Sequence, residues 1–255
     1  MTRALPRASI HSSRLVRFLT ENALLGAAQS TEDVGQKLGD WLDFRQAIAL
    51  HGVLHPENPI EVAASPRSPR LSADALRQHV SKVRAALEQS IMQGAPPGSG
   101  LTPISMPPAE LDEPVEPKTA FEPYRRFQAA HQRQMESVVR TLRSQVRGQL
   151  SKGSPALQQL ATLDAAFENI LTEREAVLLG KVSRLLEKRF AQALKQHLKQ
   201  AQAATEAGLP ADSPLPWLLP IRQAMRTALL AELDTRLQPT LGLLEAFQAE
   251  NAQEQ

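Results

Sequence analysis

The residues best placed by type and spacing to do chemistry are five arginines. Arg126, Arg133, Arg140 and Arg147 recur every seven residues, and Arg143 stands beside the last two. On an α-helix a step of seven drifts by only ~20°, so the four share one stripe. That stripe falls roughly opposite the face of Met135 and Leu142, and so toward solvent. A row of guanidinium groups there can hold phosphates, or the acidic side chains of a partner helix. It can equally be a solvated polar face built from a good helix former. No aromatic side chain interleaves the row to stack bases, and no helix-turn-helix or zinc-finger pattern accompanies it. An acidic protein partner is therefore the expected ligand of the row, with nucleic-acid phosphate as the alternative.

Other chemistry-bearing residues have plainer explanations. His51 and His55, four apart, could share a helix face, but Pro56 follows directly and a third ligand would have to come from Glu57 or Glu61. Histidines near a helix C-terminus, where the dipole favours them, account for the pair, and no metal site is assigned. His131 falls on an apolar face and reads as a packed histidine. Asp164 and Glu168, one turn apart, suit the N-terminal half of a long helix, where negative charge is favoured. Enzyme templates fail in turn. The Gly180-Lys181 pair has Glu175 where a phosphate-binding loop needs its first glycine. No Gly-x-Ser-x-Gly elbow, His-Glu-x-x-His or Gly-x-Gly-x-x-Gly occurs. No catalytic residue and no cofactor is assigned.

The arginines need a rigid element to carry them, and the spacing of apolar residues supplies one. Tyr124, Phe127, His131, Met135, Val138, Leu142, Val146 and Leu150 follow steps of three and four, the helical period. A second arm continues with Leu157, Leu160, Leu163, Phe167, Ile170, Leu171, Leu178, Val182 and Leu185. Its phase then shifts to Leu186, Phe190, Leu194 and Leu198, so a bend or stutter is expected near Gly180. Lys152-Gly153-Ser154 joins the arms, and Ser154-Pro155 is a good helix start. The short connection predicts an antiparallel hairpin of arms at least ~40 Å long. After it, Trp217, Leu218, Ile221, Met225, Leu229, Leu233 and Leu237 form a third amphipathic helix, which Pro239 kinks or interrupts before Leu241, Leu244 and Phe247.

Upstream, Ser13 caps a helix through Leu15, Val16, Phe18, Leu19, Ala23 and Leu24. Ser30-Thr31-Glu32-Asp33 opens another, with Val34, Leu38, Trp41, Leu42, Ala47 and Ile48 as its buried face. Ser72 caps a third, carrying Leu76, Val80, Val83, Leu87 and Ile91. Residues 93–120 hold seven prolines (Pro96, Pro97, Pro103, Pro107, Pro108, Pro114 and Pro117) and the acids Glu110, Asp112 and Glu113. That composition predicts a flexible acidic Pro-rich linker.

The chain of 255 residues has 42% apolar and 4% aromatic residues, a balance that suits closely packed helices. It has no cysteine, which removes disulfides and thiolate chemistry and fits a reducing cytoplasm. No apolar run approaches the ~18 residues of a membrane span, and the N-terminal stretch lacks the apolar core of a secretory signal. The net charge is +2, but residues 119–199 alone carry 14 bases and 7 acids, while 200–255 carry three and seven. The basicity belongs to the hairpin.

Four separated segments resemble one known family in the same order. They are Asp40 to Leu50 (DWLDFRQAIAL), Tyr124-Arg125-Arg126 with Gln132 to Met135, Ser154 to Asp164 (SPALQQLATLD), and Leu229 to Pro239 (LLAELDTRLQP). The chain is similar there to a bacterial family described as domain of unknown function 3348. The resemblance implies a bacterial, cytoplasmic protein and points to an accessory role beside cell-envelope or motor-type complexes. It brings no catalytic residues with it.

The expectation is thus an all-α protein in three parts. These are a small helical unit over 1–92, a flexible acidic linker over 93–120 and an elongated helical bundle built on a long hairpin over 121–255. Its expected function is that of a non-enzymatic cytoplasmic scaffold or adaptor acting by helix-to-helix contact. Arg126, Arg133, Arg140, Arg143 and Arg147 would bind an acidic protein partner or a second copy; the alternative is a nucleic-acid-associated protein using the same stripe.

Overall fold

The structure is a computed structural model and describes residues 13–21, 42–55, 70–108, 116, 119–206 and 215–253. Among these the chain is all-helical. The helices are α1 (Arg14–Glu21), α2 (Phe44–Leu54), α3 (Ala73–Gln93), α4 (Glu122–Leu150), α5 (Pro155–Glu206) and α6 (Leu215–Gln253). Contacts divide the chain into two compact units. The first takes Met1–Ala28, Glu88–Gln134 and Lys181–Arg236; the second takes Gln29–Leu87, Met135–Gly180 and Leu237–Gln255. The division expected near residues 93 and 121 is not where the contacts divide. Each of the four long helices contributes one segment to either unit, so order in the sequence does not set the boundary.

In the first unit α5 presents Val182, Leu186, Phe190 and Leu194, every fourth residue, all buried. They pack with Phe121 just before α4, with Tyr124 and Phe127 of α4, and with Leu218, Ile221, Met225 and Leu229 of α6, which are buried too. Phe190 is the hub, with ring centroids 5.2 Å from Phe121, 5.6 Å from Tyr124 and 5.6 Å from Trp217. The antiparallel course of the two arms shows in Arg125 of α4, whose Nη2 reaches Glu187 of α5 at 2.5 Å. Helix α1 buries Phe18, and its Arg14 pairs with Asp234 of α6 at 3.1 Å.

Residues 94–108, expected to be a spacer, lie against this unit through their own main chain. Gly94 leaves α3 at a φ of 107°, a conformation that favours glycine, and its amide donates to the Ser90 carbonyl. Gln134 then donates to the carbonyl of Thr102 at 3.0 Å, Arg222 to that of Pro107 at 2.6 Å, and the Tyr124 hydroxyl to that of Pro108 at 2.9 Å. Proline-rich backbone keeps its carbonyls free of secondary structure, and three side-chain donors take them up. The acidic residues 110, 112 and 113 lie outside the described residues.

The second unit packs Leu76, Val80 and Leu87 of α3 with Met135, Leu142, Val146 and Leu150 of α4 and Phe247 of α6, all buried. Val139, not Val138, completes the α4 face, and on α5 Ala161 is buried while Leu160 and Leu163 are only half so. The turn at Ser151–Ser154 is tight. A Cβ on Gly153 would meet Leu157 Cδ1 at 2.8 Å and Glu250 Oε1 at 3.0 Å. Ser154 caps α5 by accepting from the Leu157 amide, and in turn donates its hydroxyl and its amide to Glu250 near the end of α6. Arg70 closes the group, pairing with Glu250 at 3.3 Å and lying 5.0 Å over the Phe247 ring.

Two helix ends differ from expectation. The buried face predicted through Ala47 and Ile48 is exposed in α2, where Ile48 is 57% accessible. Helix α2 is capped at Asp43, whose carboxylate accepts from the Gln46 amide at 2.7 Å while the Gln46 side chain accepts from the Asp43 amide at 3.0 Å. This reciprocal capping box sets the start of the helix after Asp43. The predicted helix start at Ser30 lies outside the described residues. Pro239 does not interrupt α6, which runs from Leu215 to Gln253. Ser72 caps α3 as predicted, accepting from the Ala75 amide at 3.2 Å.

Candidate functional site: the arginine row of α4

All five arginines stand on α4, one continuous helix of 29 residues. In the first unit Arg126 is exposed and its Nε pairs with Glu122, one turn back, at 3.3 Å. Arg133 is exposed as well. The residue one turn before it is Ala129, and among the described residues no carboxylate pairs with Arg133. In the second unit Arg140 is exposed and pairs with Glu136 at 3.0 Å. Such intrahelical pairs at the surface stabilise by only ~0.3–0.5 kcal/mol, so they yield easily to a competing charge.

Arg143 and Arg147 correct the expectation that the row faces solvent along its length. Their side chains are 13% and 16% exposed and turn into the hairpin of the second unit. Arg143 grips Asp164 with two parallel bonds, Nε to Oδ2 at 2.8 Å and Nη2 to Oδ1 at 2.6 Å. Arg147 Nη1 reaches Asp164 at 3.0 Å and Glu168 at 2.5 Å. Burial works against the charge of Arg147. The hydrogen bonds and negative charges of Glu168 and Asp164 outweigh it and hold the guanidinium pKa above its usual value. The cause of the misplacement is geometric. A drift of ~20° per heptad accumulates to ~60° over the three heptads from Arg126 to Arg147, which carries the end of the row round to α5.

Asp164 and Glu168, read from sequence as dipole-favoured residues, are thus the counter-ions of two arginines. The signal was present: an acid pair four apart on one arm and an arginine pair four apart on the other. These four residues form a closed, charge-balanced group inside the hairpin, with no carboxylate left over for proton transfer. His131 is 1% exposed, with its ring edge-on to Phe127 at 4.6 Å, and burial lowers its pKa to about 4. It is a neutral, packed histidine at neutral pH, as its place on the apolar face predicted. The His51 and His55 rings lie 4.8 Å apart and tilted by 46°, on and beside the last turn of α2. Among the described residues no group of three or more His, Asp or Glu converges as a metal site would require. None of the described helices is long and apolar enough to cross a membrane.

A family model described as protein of unknown function (DUF3348) matches residues 1–249, and the chain belongs to that family. No curated protein and no solved structure matches it.

Proposed function

We propose that this family member is a non-enzymatic, cytoplasmic helical scaffold or adaptor that binds an acidic helix of a protein partner, or a second copy of itself, through α4. The reading includes an accessory role beside a cell-envelope or motor-type complex, to which the family resemblance points. The observation that carries the reading is Arg133. It is exposed on the same helix as Arg126 and Arg140, yet they already hold a glutamate one turn back and it holds none. A free guanidinium between neutralised neighbours selects a single well-placed carboxylate better than it attracts a phosphate chain. Nucleic acid, the alternative, favours a continuous run of uncompensated cations.

The test is a pull-down from native lysate with nuclease present, at low and high salt, using wild type and Arg133→Glu. Recovery of a defined protein or of the chain itself, lost in the variant, supports the adaptor. Recovery of nucleic acid alone, in a parallel pull-down without nuclease, released by salt with a steep slope, replaces it with the alternative. Capture unaffected by Arg133→Glu removes the arginine from the mechanism.

A further inference from the structure

In the first unit a cavity of about 200 Å³ lies among the last turn of α3, the 94–108 segment, Phe127 and α6. Its polar lining comes from Ser90, Gln93, Ser105 and Arg226, and no carboxylate lines it. Arg226 is half-buried, and its Nε is buried without an acceptor. Among the described residues no carboxylate pairs with it. One turn back on α6, Arg222 is satisfied by the Pro107 carbonyl, so the helix has no general shortage of acceptors here.

Burying a guanidinium N–H without an acceptor is unfavourable, and native chains place an acceptor or an anion beside such a group. The other polar groups of the cavity suit the same ligand. Ser105 and Gln93 lie at its mouth and are exposed. Ser90 gives its proton to Gln134 at 3.3 Å. A flat guanidinium binds two oxygens of an oxyanion side by side, and a hydroxyl and an amide at other angles suit the further oxygens of a tetrahedral one.

We propose that this cavity is an anion site that takes a phosphate group, free or at the end of a small phosphomonoester, with Arg226 as its principal ligand. The volume of about 200 Å³ admits a group of that size. None of the arginines of the α4 row lines the cavity, so the site is independent of the adaptor reading.

The experiment compares wild type with Arg226→Met by thermal unfolding and by titration calorimetry. Chloride, acetate, inorganic phosphate and glycerol 3-phosphate are used at one ionic strength. In chloride the variant melts no lower than wild type, because it has lost an unpaired, half-buried charge. At phosphate tenfold above its dissociation constant, mass action shifts the wild-type folding equilibrium about elevenfold, a rise of ~3–5 °C. The variant keeps only the general salting effect of phosphate. Calorimetry gives one site in wild type and none in the variant. Tighter binding of glycerol 3-phosphate marks an ester as the ligand; equal or weaker binding marks free phosphate. The proposal is overturned if the variant melts well below wild type in chloride, if both proteins gain equally from phosphate, or if acetate binds as tightly as phosphate.

Discussion

Removing the Asp164 carboxylate gives the most direct test of the buried charge group. In Asp164→Ala, Arg143 loses both of the bonds described here, and Arg147 keeps only Glu168. Hydrogen bonds to charged groups contribute ~1.5–3 kcal/mol each, but the three that Asp164 accepts do not add, because two share one guanidinium. Breaking a buried pair from one side costs ~3–5 kcal/mol, chiefly through the charge left behind. Both arginines retain some access to water, which places the expected loss at the lower end, ~3 kcal/mol. Urea unfolding followed by far-UV circular dichroism reads this as a lower midpoint at unchanged slope. The companion is Arg143→Met with Asp164→Leu, which removes the pair together and is expected to recover at least half of the loss of Asp164→Leu alone. A cost below ~1 kcal/mol for Asp164→Ala, or a double variant no better than the single, would refute the view that these residues matter as mutual counter-ions.

His131 gives a pH dependence of known sign. Its folded pKa of about 4 lies below the usual 6.5, so between those values the unfolded chain binds a proton that the folded chain does not. Stability therefore falls as pH drops through this window, by up to ~3 kcal/mol from this group, and His131→Met is expected to flatten that part of a urea-midpoint-against-pH profile; an unchanged slope counts against it. Glu250 acts in the same sense, over the carboxylate range. The hydroxyl of Ser154, with help from its amide and from Arg70, holds the carboxyl below its ordinary range. Its contribution is present above the ordinary carboxylate pKa and is lost as pH falls through the lowered value. Hydrogen exchange is expected to quicken at 151–157 in Glu250→Gln, and equal exchange in both proteins would show that the turn holds without it.

The helices were legible because their information is periodic. Every fourth residue of α5 from Val182 to Leu194 is apolar, and that alone fixes which face is buried. Caps at Ser72 and Ser154 were legible for a similar reason, a hydroxyl just before a periodic run. What escaped was whatever depends on small angles or on the main chain. The turn of Arg147 into the hairpin follows from a drift too small to matter over one heptad and decisive over three, and Arg143, off the row, stands a further ~40° round in the same direction. Asp43 caps the start of α2 inside what looked like a continuing stripe, and Ile48 is exposed there. The seating of residues 94–108 was invisible because composition records side chains, whereas the bonds that hold this stretch are accepted by carbonyls.

That last feature sets where the sequence is free to drift. Thr102 and Pro108 are exposed and are gripped only through their backbone oxygens, so many residues can replace them without loosening the hold. The burden of identity passes to Gln134, Tyr124 and Arg222, the side chains that do the gripping. A segment of little apparent information thereby writes its constraint into distant positions on α4 and α6.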